Sequence, residues 1–131
     1  MAKRVLLVDD EKDMLFMLRF RMEAAGYEVI SAEDGIEGYA SALRDKPDII
    51  LLDVLLPGID GLQLCRKLKD SEALSGIPVL ILTASNVKDV ERKCSDAGAD
   101  GYLKKPFDSL ELLGKVKFLL GDSCGREESG E

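Results

Sequence analysis

Three aspartates, a threonine and a lysine follow short apolar runs in this 131-residue chain. Asp9 and Asp10 follow Val5-Leu6-Leu7-Val8, and Asp53 follows Ile49-Ile50-Leu51-Leu52. Thr83 follows Val79-Leu80-Ile81-Leu82, and Lys105 comes after the shorter run Tyr102-Leu103. Strands buried on both faces read as short continuous apolar runs. In open parallel sheets, ligands bind beyond the carboxyl ends of the strands. Four such strands would deliver three carboxylates, a hydroxyl and an ammonium to one edge. Three carboxylates held together repel one another, and a cation relieves that repulsion. Magnesium suits the set, because it takes oxygen ligands and is commonly held by one or two carboxylates plus phosphate oxygens. A carboxylate can also accept a phosphoryl group as an aspartyl-phosphate. Lys105 could then pair with one phosphoryl oxygen as a point charge, and Thr83 could donate its hydroxyl to another. Taken singly, each residue has a plainer reading. Asp10 or Asp53 could cap the following helix, Lys105 could face solvent, and Thr83 could be a β-branched strand residue. Their shared placement at strand ends favours the set.

The elements that must position these residues alternate five times between strand and helix. Val5–Asp9 reads as the first strand. Asp10 to Gly26 reads as a helix, with Met14, Leu15, Leu18, Met22 and Ala25 at helical spacing and Gly26 as its stop. Tyr27–Ala32 alternates enough for a strand nearer an edge. Asp34 is placed to cap a helix to about Asp45, with Ile36, Tyr39, Ala40 and Leu43 as its apolar face. Lys46-Pro47-Asp48 breaks it, and Ile49–Asp53 is the third strand. Leu56-Pro57-Gly58-Ile59 is a loop. Asp60 to about Lys69 reads as the third helix, packing through Leu62, Leu64, Cys65 and Leu68. Pro78 opens the fourth strand. Asn86 to Ala97 is a weakly amphipathic helix whose few anchors, Val87, Val90 and Cys94, imply shallow packing. Gly98–Gly101 turns the chain into a fifth strand, Tyr102–Lys104, and Ser109–Leu120 is the last helix. Five βα units with short connections imply one α/β domain, a parallel sheet with helices on both faces. The strands carrying Asp9 and Asp53 can be neighbours where the winding reverses.

Composition narrows the chemistry. Lys plus Arg number 18 against 25 Asp plus Glu, for a formal charge of −7. With no dense basic stripe, direct nucleic-acid binding is not expected. There is no histidine, which removes imidazole acid–base chemistry and His-ligated zinc. Cys65, Cys94 and Cys124 are odd in number and far apart, so a reducing cytoplasm is expected, with Cys65 and Cys94 as apolar filler. The first residues lead directly into a strand, so no signal peptide is expected, and no apolar run approaches the ~20 residues needed to cross a bilayer. The last residues, Asp122–Glu131, read as a disordered tail or truncated linker after a domain spanning residues 1–121.

Four segments together carry a resemblance. Val8-Asp9-Asp10-Glu11, Leu52–Gly61, Leu82-Thr83-Ala84 and Tyr102–Phe107, in this order and spacing, resemble the CheY-like receiver domain of two-component response regulators. The likeness covers residues from about 4 to 120. It implies a flavodoxin-like, doubly wound five-stranded sheet of order 2-1-3-4-5. It implies Asp53 as phosphoacceptor, taking its phosphoryl group from a histidine kinase or phosphotransfer protein. Asp9 and Asp10 would hold Mg2+ with Asp53 and the backbone carbonyl of Leu55. Thr83 would bind the phosphoryl group after modification and Lys105 would pair with it, since the family's lysine directly precedes the proline. Tyr102 would turn inward as Thr83 moves, and Lys105–Pro106 would be a cis peptide. The surface of helix four, strand five and helix five would then change.

Leu55 and Ser85 lie two residues after Asp53 and Thr83, and neither is a strong base toward an attacking water. Leu55 is therefore expected to shield the acyl phosphate and slow its loss. A haloacid-dehalogenase-like phosphatase would need a second acid where Leu55 stands, and a substrate cap for which there is no length. A flavodoxin-like FMN carrier would need a Ser/Thr/Gly-rich loop where Asp-Asp-Glu-Lys stands. A phosphorylation-independent pseudo-receiver would lack part of the acidic and lysine set. The expected protein is thus a signalling switch and not an enzyme acting on other molecules. The downstream target would be either a separate protein or a fused output domain. A phosphorylation-dependent homodimer could use Lys115 and Lys117 with Asp96 or Asp100.

Overall fold

The computed structural model describes residues 2–54, 60–84 and 89–121. Its strands are β1 (Arg4–Val8), β2 (Glu28–Ala32), β3 (Ile49–Asp53), β4 (Val79–Ala84) and β5 (Gly101–Lys105). Its helices are α1 (Lys12–Ala24), α2 (Gly35–Asp45), α3 (Gly61–Asp70), α4 (Val90–Asp96) and α5 (Ser109–Leu120). The strands form one all-parallel sheet in the order β2-β1-β3-β4-β5.

The continuous apolar runs are explained by burial on both faces. Side chains alternate across a strand, so Leu6, Val8, Ile50 and Leu52 enter one core layer with Leu64, Leu68 and Leu74. Val5, Leu7, Ile49 and Leu51 enter the other, with Leu15, Leu18 and Met22 of α1 and Leu112 and Val116 of α5. Each of these large side chains contributes about 1.5–3 kcal/mol on leaving water. Cys65 and Cys94 are buried in the first layer, and burial pushes the Cys65 thiol up to about 11, so it packs as an apolar group.

The helix starts follow their caps. Asp34 accepts from the Glu37 N–H at 2.7 Å. Asp60 and Gln63 form a reciprocal capping box at 2.8 and 3.2 Å, as do Asp108 and Glu111 at 2.8 and 3.3 Å. Each cap is worth about 1 kcal/mol. Gly121 closes α5 in the left-handed region at φ 77°.

The structure corrects three expectations. In α2 the buried residues are Gly35, Gly38, Ser41 and Ala42, whereas Ile36, Ala40 and Leu43 face water and Tyr39 is half-buried. The small residues turn inward because α2 lies tight on the sheet. A Cβ on Gly38 would sit 3.0 Å from a Val8 methyl. Ala25 is exposed because α1 ends at Ala24. The fifth strand is longer than its apolar pair, since Gly101 and Lys105 pair with Leu80 and Ala84 of β4. Ala97, the residue that closes α4, is buried beside the expected anchors Val90 and Cys94. The expected start of that helix, Asn86–Lys88, lies outside the described residues, as do Leu55, Ser85, Cys124 and the tail Asp122–Glu131.

At the rim where the strands begin, charged side chains lace neighbouring segments. The Arg4 N–H donates to Asp48 Oδ2 at 2.7 Å, and its guanidinium to the Asp45 carbonyl at 3.0 Å. Lys69 Nζ lies 2.7 Å from Asp100 Oδ2 and donates to the Ile77 carbonyl at 2.9 Å. The same Asp100 oxygen accepts from the Val79 N–H at 2.8 Å. Asp100, though exposed, is therefore tied into the fold by Lys69 and the Val79 N–H.

Candidate functional site

The opposite rim, where the strands end, gathers the polar residues. Val8 is in register with Leu52, so Asp9 and Asp53 emerge side by side from β1 and β3. Carboxylate oxygens of Asp9, Asp10 and Asp53 all lie within 4.8 Å of one another. Asp53 is also in register with Leu82, which places Thr83 one step beyond it on β4. From β5, Lys105 Nζ reaches 3.5 Å from Asp53 Oδ1 and 3.9 Å from Asp9 Oδ2. The Lys105–Pro106 peptide is cis.

Burial grades the three carboxylates. Asp9 is buried, Asp53 intermediate and Asp10 exposed. The Asp9 carboxyl is raised from 3.8 to about 6, chiefly by burial. Its hydrogen bond from the Glu11 N–H opposes the rise, the charge of Asp53 adds to it, and Lys105 opposes it. Asp9 Oδ1 takes the Glu11 N–H at 2.9 Å, which ties the carboxylate to the start of α1. Asp9 Oδ2 is buried with no hydrogen-bond partner among the described residues. An orphaned buried oxygen beside two more carboxylates, in an all-oxygen donor set, fits a hard divalent cation such as magnesium.

Thr83 is fully buried at the end of β4. Tyr102 is half-buried on β5, and its hydroxyl donates to Glu91 Oε2 of α4 at 3.4 Å. Thus Asp9, Asp10, Asp53, Thr83 and Lys105 collect at one rim, while Tyr102 sits three residues before Lys105 on β5 and links to α4. Leu55, expected to lend its carbonyl, lies outside the described residues.

One contributor escaped the sequence reading. Gly61, the first residue of α3, donates its N–H to the Val54 carbonyl at 2.7 Å. A Cβ there would stand 2.0 Å from the backbone oxygen of Asp53. Only glycine lets α3 start directly against the strand end that carries Asp53. The Asp60-x-x-Gln63 box announced a helix start, but no local signal gives the distance to Asp53.

With this geometry in view, residues 5–117 match the family described as "Response regulator receiver domain". The chain belongs to that family. The receiver is 43% identical over 117 residues to the DNA-binding dual master transcriptional regulator RpaA of Synechocystis sp., covering 89% of this chain and 48% of RpaA. It therefore spans about half the length of that relative. Chemotaxis protein CheY4 of Vibrio cholerae superposes with a TM-score of 0.85 at 30% identity, over 91% of the receiver and 99% of CheY4. The receiver domain of sensor histidine kinase PA1611 from Pseudomonas aeruginosa has a TM-score of 0.85 at 31% identity, over 92% and 99%. That structure has a magnesium ion coordinated in its active site cleft. Among the described residues of the receiver, no helix is long and apolar enough to cross a membrane.

Proposed function

We propose that Asp53 is the phosphoacceptor of this receiver, modified by a histidine kinase or phosphotransfer protein. The observation that carries this is the cluster of Asp9, Asp10 and Asp53 with the Lys105 ammonium 3.5 Å from Asp53 Oδ1. An Asp53 oxygen attacks phosphorus, the bond to the donor breaks, and the donor keeps its electron pair. Magnesium, when bound, supplies positive charge against the phosphoryl oxygens. Asp9 and Asp10 would hold it with Asp53, and the Leu55 carbonyl would be a further ligand. Lys105 pairs with a phosphoryl oxygen, and the buried Thr83 hydroxyl donates to another.

The switch follows from charge. A phosphoryl group adds about −1.5 to −2 units beside β4. Thr83 is drawn toward it, and the space left beside β4 takes the Tyr102 ring, releasing its hydrogen bond to Glu91. The α4–β5–α5 surface changes accordingly and is read by a protein partner or a fused output domain. A homodimer formed on phosphorylation would use that surface. The receiver spans residues 1–121, residues 122–131 are a tail or linker, and the protein works in the cytoplasm. It catalyses only its own phosphoryl transfer and dephosphorylation.

Incubation with magnesium and acetyl phosphate, followed by intact mass, tests the reading. The parent should gain one phosphoryl group and Asp53→Asn none. No gain in the parent, together with no binding of magnesium and beryllofluoride, would leave a phosphorylation-independent interaction module.

A further inference from the structure

The outward face of α2 is apolar along its length. Ile36 is 74% exposed and Leu43 42% exposed, with the exposed Ala40 between them. Steps of four and three residues align them as one stripe, opposite the buried Gly35, Gly38 and Ala42. Along one flank run the exposed Glu33, Glu37 and Arg44, spaced by four and seven residues. That flank is acidic toward the start of the helix, and its basic end, Arg44, is paired within its own chain to Asp45 Oδ2 at 2.9 Å, a bond that a second copy must share or displace.

Such a face complements itself in one orientation. A second α2 laid antiparallel, centred near Ala40, sets Glu33 and Glu37 against Arg44 of the second copy. Two-fold symmetry repeats the contact. A parallel arrangement would set like charges together. The antiparallel one also opposes the helix dipoles, and the small Ala40 lets the two helices approach closely.

We propose that two copies of this chain associate weakly through antiparallel α2 helices, with Ile36, Ala40 and Leu43 at the centre and Glu37–Arg44 pairs at the rim. One helix face is small beside a standard interface of roughly 800 Å² per partner, so association appears only at high concentration. Its rim charges make it salt-sensitive. The surface is separate from the acidic rim and from α4–β5–α5, so association does not depend on Asp53.

Sedimentation equilibrium of the full chain from about 10 μM to about 1 mM at low salt tests this. The weight-average mass should climb toward twice that of one chain, both in the parent and in Asp53→Asn. Leu43→Glu should remain at one chain mass, with its helical circular dichroism retained. Glu37→Arg and Arg44→Glu should each weaken association about fivefold, and the double variant should restore it. Glu37 Oε1 also accepts the Glu33 N–H at 2.8 Å, so the double variant is the decisive arm. A parent at one chain mass throughout overturns the proposal. So does association that survives Leu43→Glu, or a double variant that stays weak.

Discussion

Asp9 is held under electrostatic tension at the site. Its carboxyl is raised from 3.8 to about 6, so without a divalent cation it is ionised at a cost above pH 6. As pH falls from 6 toward 4, the folded state takes up a proton that the unfolded state does not, and this group's contribution to stability rises. Without metal, Asp9→Asn should be more stable than the parent at pH 7.5 by about 1–3 kcal/mol in urea unfolding, and the gap should shrink as pH falls through about 6 and close only below about pH 4. Saturating magnesium should raise the melting temperature of the parent more than that of the variant. Lys105 makes the opposite compromise, neutralising Asp53 while opposing a cation. Lys105→Met should raise magnesium affinity several-fold in a fluorescence titration, yet slow phosphorylation by acetyl phosphate about tenfold or more. The identities of these residues were legible because each stands at the end of an apolar run. Their different burial was not, since the depth of Asp9 beneath Asp10 is set by how α1 leaves β1.

Among the elements, strands were read most faithfully and α2 least. A strand buried on both faces announces itself by composition alone, as Ile49–Leu52 does. In α2 the larger apolar residues lie on the outer face, and the inner face is set by how closely a helix can approach Val8. Hydrophobic periodicity ranks residues by size and greasiness, and it misreads a helix whose contact demands small side chains. The same closeness separates the glycines. Gly61→Ala would force a methyl into the Asp53 carbonyl, so it should lower stability by about 3 kcal/mol or more and slow phosphorylation of the folded fraction. Gly114, inside α5 with nothing within 4 Å of a Cβ, gives the opposite sign. Gly114→Ala should stabilise by about 0.5–1 kcal/mol in the same urea titration.

At the scale of the whole molecule, parallel strands send every carboxyl end to one rim, so five βα units place the chemistry without any long-range sequence motif. The resemblance in four short segments carried the rest, because cross-chain distances such as Lys105 to Asp53 are products of register. The other rim is the counterweight: Arg4, Asp48, Lys69 and Asp100 tie the strand starts to their neighbours. Lys69 is only 17% exposed, so its ties are screened less than a surface pair. With its partner Asp100 exposed, Lys69→Met should lower stability by about 1–2 kcal/mol in urea unfolding while leaving the phosphorylation rate of folded protein unchanged. This division has a practical use. A dye, a surface tether or an inserted peptide attached at Gly76, where a side chain meets nothing within 4 Å, would hang from the quiet end of the sheet. The molecule could be immobilised or labelled there while its working end stayed open to solution.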